Sequence, residues 1–156
     1  SSAASDVYKR QIIFLGSDKI MDIVEKIENR LYNESIQLDY FPLDTSYAFT
    51  IKLDKKHYIC LNKNIKFTNV EKKCLLEHEY SHIITDSFYT VENTRLAIKR
   101  RELKANDDMV NRLGLVPRVI DMAKQGIDKW EIAQRLEITE EVVEHCFKYA
   151  KRKNLT

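Results

Sequence analysis

The sequence predicts an α+β fold that is mainly helical, with a small antiparallel β-hairpin or sheet and a short helix-turn-helix-like element at the C-terminal end. Three observations support this. Apolar residues recur at three- and four-residue steps through most of the chain, the period of helices that bury one face. Two β-rich runs, 47–53 and 57–61, flank Asp54-Lys55-Lys56. Beyond Pro117 the apolar period is cut into three short pieces, the first two separated by Gly126 and the third opened by Thr139. With 156 residues, 44 % of them hydrophobic, one core is supported and two are not. Residues 12–156 therefore read as a single domain, with 116–156 as its C-terminal helical element.

At the start, Ser1–Gln11 (SSAASDVYKRQ) has neither the periodicity nor the composition of the rest of the chain. It resembles translated adapter sequence, a disordered natural tail being the other reading, and in neither case does it belong to the fold. Ser17 is placed to cap a helix that carries Ile20, Ile23, Val24, Ile27 and Leu31 and ends near Asn33. The hairpin comes next. Thr68 or Asn69 then starts a helix that runs to about Thr85, with Cys74, Leu75, Leu76, Ile83 and Ile84 on the sides that face a core. A connection, Asp86 to Asn93, leads into a long helix from about Glu92 to Leu113. Pro117 breaks the chain after Leu113-Gly114-Leu115, and three helices cover Val119–Gln125, Lys129–Leu136 and Thr139–Lys151.

The helix that starts at Thr68 holds the pentad His78-Glu79-Tyr80-Ser81-His82. Four residues make about one helical turn, so both imidazoles aim at one point and can share a tetrahedral Zn2+. Glu79 then stands beside the open coordination position, where a carboxylate can deprotonate water and later protonate a leaving amine. A hydrolytic zinc has three protein ligands. On the long helix Glu102 and Asn106 share a face, with Ala105 small enough for a close helix approach. Glu102 fits the third ligand, and Asn106 fits an acceptor for the remaining ring N–H of a ligand histidine. The same spacing suits a solvated Glu102 paired with Arg or Lys, and Glu92 and Asp107 are other carboxylates for the role. Tyr80 and Ser81 point away from the metal. Tyr89 is placed to donate its hydroxyl to an oxyanion, or simply to pack its loop. His57 reads as an exposed strand histidine and His145 as surface or core filler.

The run from Cys74 to Tyr89, together with Arg101 to Asn106, resembles the ImmA/IrrE family of zincin-like metallopeptidases, common on phages and integrative elements. The resemblance extends from about Ser17 to Lys153. It implies one Zn2+ per chain, held by His78, His82 and Glu102, with Glu79 as general base. It also implies a sheet edge that receives the substrate as an added strand, and a helix-turn-helix repressor as the protein that is cut. Asn106 departs from the pattern, which often has Asp there; an amide still accepts a hydrogen bond but adds no charge, so lower metal affinity or rate is expected. Asp108 stands where an aromatic residue is usual, and a local packing change is expected.

Composition narrows the other classes. Twenty-six Lys and Arg against 24 Asp and Glu leave a formal charge of +2, which exerts no global pull toward nucleic acid. The stretch 130–143 has helix-turn-helix rhythm, which makes a DNA-binding regulator the rival reading. The first turn of its second helix, however, carries Glu140, Glu141 and Glu144, and basic residues come only at Lys148, Lys151, Arg152 and Lys153. A groove for a protein partner, or a non-catalytic antirepressor on the same scaffold, is the third reading. A deformylase-type site would need a cysteine ligand, for which only Cys60 is at hand. Three cysteines without metal-type spacing, and no apolar stretch long enough for a span or signal core, predict a cytoplasmic protein.

Overall fold

The computed structural model describes residues 21–88 and 94–156; Ser1–Gln11, Ser17, Ile20, Tyr89 and Glu92 lie outside the described residues. Among the described residues the order is α1 (Ile23–Asn33), β1 (Ile36–Phe41), β2 (Ala48–Leu53), β3 (Lys56–Asn62), α2 (Asn69–Ile84), α3 (Arg95–Arg112), α4 (Leu115–Lys124), α5 (Lys129–Leu136) and α6 (Glu140–Arg152). Helix α1 starts later than the Ser17 reading expects. Its N-cap is Asp22, held outside the helix at φ −56° and ψ 148°, and the Glu25 carboxylate accepts the Asp22 backbone N–H. Val24, Ile27 and Leu31 form its buried stripe.

The expected hairpin is β2 and β3, paired antiparallel from Ala48↔Leu61 to Leu53↔Lys56. Its turn has two residues, Asp54 and Lys55, both at positive φ, the signature of a type I′ turn whose twist matches the strands. A third strand completes the small sheet that the hairpin predicts. β1 runs parallel to β3, from Ile36↔His57 to Phe41↔Asn62, so the sheet, of order β1-β3-β2, is mixed and not purely antiparallel. Only β3 is flanked on both sides, and it alone has a continuous buried run, Ile59 to Asn62. The buried Asn62 amide fastens the loop before β2: it donates to the Leu43 and Ser46 carbonyls at 2.9 and 3.0 Å and accepts from the Leu43 and Asn64 N–H groups.

Helix α2 lies between two hydrophobic clusters. Leu76 joins Val24, Ile27 and Leu31 of α1 with Ile36, Ile59 and Leu61 of the sheet. Cys74, on another side of the helix, joins Met109 and Val110 of α3 and the buried faces of α4, α5 and α6. Thr68 caps α2 as expected, through a capping box with Glu71.

The long helix α3 begins at Arg95 behind the N-cap Thr94, a few residues inside the predicted start. Where it ends, the prediction from Pro117 fails. Gly114, at φ 61°, is the left-handed residue between α3 and α4, and Pro117 sits in the first turn of α4, where its missing N–H would have had no helical partner. α5 and α6 keep the expected bounds, with Thr139 accepting from Val142 N–H as the α6 cap. Glu137 takes the left-handed position in the turn between them. All three cysteines are free and buried, and burial pushes the Cys146 thiol up to about 12. Among the described residues no helix is long and apolar enough to cross a membrane.

Because Met109 and Val110 of α3 share one cluster with Ile132, Val143 and Cys146, truncating that cluster should be felt throughout. Ile132→Ala is expected to cost about 2–5 kcal/mol and to leave one urea transition, monitored in parallel by far-ultraviolet circular dichroism and Trp130 fluorescence. Two separate transitions would mean that the C-terminal helices form a unit of their own.

Candidate metal centre

The site starts from helix periodicity and is completed by contact between α2 and α3. His78 and His82, one turn apart on α2, bring their Nε2 atoms to 3.1 Å with the rings at 89°. Glu102, from α3, reaches both: Oε2 is 3.2 Å from His78 Nε2 and Oε1 is 3.3 Å from His82 Nε2. Two imidazole nitrogens and a carboxylate that offers one oxygen to each of them thus converge, and the three residues can present one ligand atom apiece within 4.8 Å of one another. A tetrahedral zinc with bonds of about 2.0–2.1 Å holds its ligand atoms about 3.3–3.4 Å apart, and the two imidazole nitrogens, at 3.1 Å, stand close to that spacing. His78, His82 and Glu102 form the one cluster of metal-ligating side chains found among the described residues. The cluster is able to coordinate a divalent metal, and the arrangement is consistent with an H-E-x-x-H…Glu zinc hydrolase site.

The tautomer of His82 is set locally. α2 ends in a Schellman motif, with Asp86 left-handed at φ 49°, Asp86 N–H bonded to the Ile83 carbonyl and Ser87 N–H to the His82 carbonyl. This fold-back places the Ser87 carbonyl 2.9 Å and its hydroxyl 3.0 Å from His82 Nδ1. Nδ1 therefore carries the proton toward the carbonyl, and Nε2 keeps its lone pair for the ligand cluster. Asn106 faces the His78 ring closely enough to help raise its pKa. Ser87 was not read from the sequence, though an Asp-Ser pair just after a helical histidine is the kind of C-terminal turn that can return to it.

Burial and mutual pairing oppose each other here. Burial raises the Glu102 carboxyl, but hydrogen bonds and charge from His78 and His82 outweigh it and hold the group at about 2. Burial lowers His78, yet Glu102, the Glu79 charge and Asn106 leave it raised overall. Burial pushes Glu79 up against the pull of His78, Thr50 and His82. Glu79 is 5 % exposed, and its Oε2 accepts the Thr50 hydroxyl at 2.5 Å. Thr50, on the inner face of β2, was missed because nothing in a strand sequence reveals which helix lies over it.

Glu77 is the other unforeseen residue. It is buried, and its Oε2 accepts from Arg30 of α1 at 2.9 Å and from Arg112 of α3 at 2.7 Å. Arg112 also donates to the Glu77 carbonyl, the Ser81 hydroxyl and Asp108. Both guanidinium groups lie over the Tyr80 ring, 4.4 and 5.0 Å from its centre, and the Tyr80 hydroxyl donates to Glu34. Tyr80 and Ser81, with no expected role, thus clamp α2 between α1 and α3. Asp108 occupies the position of the second departure as an ion-pair partner of Arg112.

Not all of the other candidates reach the site. Tyr89 and Glu92 lie outside the described residues. Asp107, the alternative carboxylate, pairs with Arg152 of α6. His57 is half-buried and stacks on Phe88 at 5.6 Å, where an exposed strand histidine was expected. His145, half-buried on α6, lies 3.7 Å from Glu141 and close enough to His78 for the two charges to interact; burial lowers its pKa. Compared with protein-family models, with curated proteins and with solved structures, the chain matches none.

Two outcomes test this centre. Elemental analysis should find about one zinc per wild-type chain and little in His82→Ala or Glu102→Ala; undiminished zinc in Glu102→Ala would remove it from the ligand set. Glu77→Ala should destabilise the fold by about 3 kcal/mol in urea titrations, since it leaves Arg30 and Arg112 without their shared anion.

Proposed function

We propose that this protein is a zinc-dependent metallopeptidase that cleaves a protein substrate. The observation that carries the reading is the convergence of His78 Nε2, His82 Nε2 and the Glu102 carboxylate, with the buried carboxylate of Glu79 next to it in sequence. His78, His82 and Glu102 would hold the zinc, which would supply Lewis acidity toward a peptide carbonyl and the attacking water. Glu79 is the general base. Thr50 engages its Oε2 and fixes the carboxylate, which leaves Oε1 to take a proton from the water and deliver it to the leaving amine nitrogen. A pKa raised by burial suits that exchange, because it makes the carboxylate a better proton acceptor than one in water. Ser87 and Asn106 hold the imidazoles in orientation. β2, which supplies Thr50, is an edge strand among the described residues, and an extended substrate segment pairs with it as an added strand.

The resemblance to the ImmA/IrrE metallopeptidases supports a finer reading, in which the substrate is a helix-turn-helix repressor of a phage or mobile element. Buried free cysteines fit the reducing cytoplasm such a substrate occupies. The DNA-binding alternative is disfavoured by the surface of α6, whose first turn is acidic and whose Glu140 and Glu144 take up Lys129.

The test is peptide hydrolysis by zinc-loaded protein, read by mass spectrometry on a proteome-derived peptide library and on any helix-turn-helix repressor found encoded beside the gene. Glu79→Gln is expected to retain zinc and to lose about 100-fold or more in rate. A variant as active as wild type would remove Glu79 as the base, and a wild type that binds the repressor without cutting it would favour the antirepressor reading.

A further inference from the structure

The turn that follows α2 carries a row of hydrogen bonds with a fixed direction, and the row starts at a metal-ligand candidate. Thr85 Oγ1 donates to the Ser81 carbonyl at 2.7 Å. A hydroxyl has one proton to give, so in the 2.7 Å contact between the two side chains Ser87 Oγ donates and Thr85 Oγ1 accepts. Ser87 has then committed its own proton. At its contact with His82 Nδ1, 3.0 Å away, its hydroxyl oxygen can only accept, as the Ser87 carbonyl does at 2.9 Å. Protons therefore run one way, from His82 Nδ1 to Ser87, from Ser87 to Thr85, and from Thr85 to the last turn of α2.

The far side of the ring pulls in the opposite sense. Glu102 Oε1 lies 3.3 Å from His82 Nε2, and a carboxylate there favours a proton on the nitrogen whose lone pair a metal needs. A Ser87 hydroxyl with no acceptor would side with Glu102. Ser87 is 2 % exposed, a buried O–H without a partner is costly, and His82 Nδ1 is the other polar atom it contacts among the described residues. By accepting that proton, Thr85 removes the choice.

Thr85 is itself held from two sides. It is the C-cap of α2, and Asp86 after it is left-handed at φ 49°, a conformation that residues other than glycine seldom adopt. Its hydroxyl ties it back to Ser81, and its carbonyl accepts from Lys104 Nζ at 2.6 Å. Lys104 belongs to α3, two residues after Glu102. One helix thus brings both a ligand candidate and the pin for the turn that orients another.

Resting on the zinc reading of this site, we propose that Thr85 and Lys104 are positioning residues of the metal centre. Thr85 takes the Ser87 proton and so keeps His82 Nδ1 a donor and Nε2 a lone-pair ligand, and Lys104 fixes Thr85 in place from the helix that carries Glu102.

Two measurements test this. Zinc affinity is read by competition with a chromophoric chelator. Protonation of His82 Nδ1 is read from two-bond 1H–15N correlation spectra of metal-free protein at mildly alkaline pH, with His82→Ala identifying the signal. Thr85→Val, which keeps the side-chain shape and removes the hydroxyl, should weaken zinc binding about tenfold and move Nδ1 toward the unprotonated range. Thr85→Ser should restore both. The discriminating variant is Thr85→Val/Ser87→Ala. With no Ser87 proton left to place, the backbone carbonyl alone faces Nδ1, and both readouts should return toward wild type, whereas a turn that is merely damaged would suffer more from two substitutions than from one. Lys104→Met should weaken zinc binding about threefold and Lys104→Arg should not. An unshifted Nδ1 signal or wild-type zinc affinity in Thr85→Val, or a double variant no better than Thr85→Val, would overturn the proposal. A wild type that takes up no zinc yet shows the Nδ1 pattern and its reversal removes the zinc reading and leaves Thr85 as the residue that places the proton. Zinc binding with the expected responses and no peptide hydrolysis supports this inference and removes the peptidase reading alone.

Discussion

The burial of a polar helix is the constraint on which the rest of this structure depends. α2 has hydrophobic clusters on two sides, yet it carries Glu77, Glu79, Ser81 and His82 inward, all nearly inaccessible to water. A buried polar group without a partner costs several times what a satisfied one contributes, so each must be met by a neighbour. Partners come from the elements around α2: Arg30 from α1, Thr50 from β2, Ser87 from the turn after the helix, and Glu102 and Arg112 from α3. The scaffold and the candidate site are consequently parts of one hydrogen-bonded system.

α3 links that system to the C-terminal helices. Glu102 reaches the histidines from the middle of the helix, while Met109 and Val110 enter the cluster formed by α4, α5 and α6. Arg152 of α6 pairs with Asp107 of α3. A helix-turn-helix-like unit here serves as the seat of the helix that carries a ligand candidate. Its third helix spends one flank on that packing, which reduces the surface a nucleic acid would need.

Signals of short range in sequence were legible. The hairpin, the bounds of α2, α5 and α6, and the caps at Thr68 and Thr139 arise from residues within a few positions of each other. Other elements were decided by competition. Ile36-Gln37-Leu38 alternates like a strand, but β1 needed the hairpin already in place to give it a parallel partner. Pro117 is a breaker in a helix interior and harmless in a first turn, and the choice rested on Gly114 taking the left-handed corner just before it. Asp22, two residues before the buried Val24, is the cap of this helix.

For the site itself, the sequence by itself determined the pair His78 and His82 and the carboxylate between them, because helical periodicity alone makes residues four apart converge. It also supplied Glu102 and Asn106 as residues sharing one face. Tertiary structure alone decided that Glu102 meets both imidazoles, that Asp107 turns instead to Arg152, and that Thr50, Ser87, Glu77 and Arg112 complete the surroundings. The reason is physical: local spacing fixes which side chains share a face, but which faces meet is set by how α1, the sheet and α3 close around one buried helix, and that arrangement has no signature in any short stretch of chain.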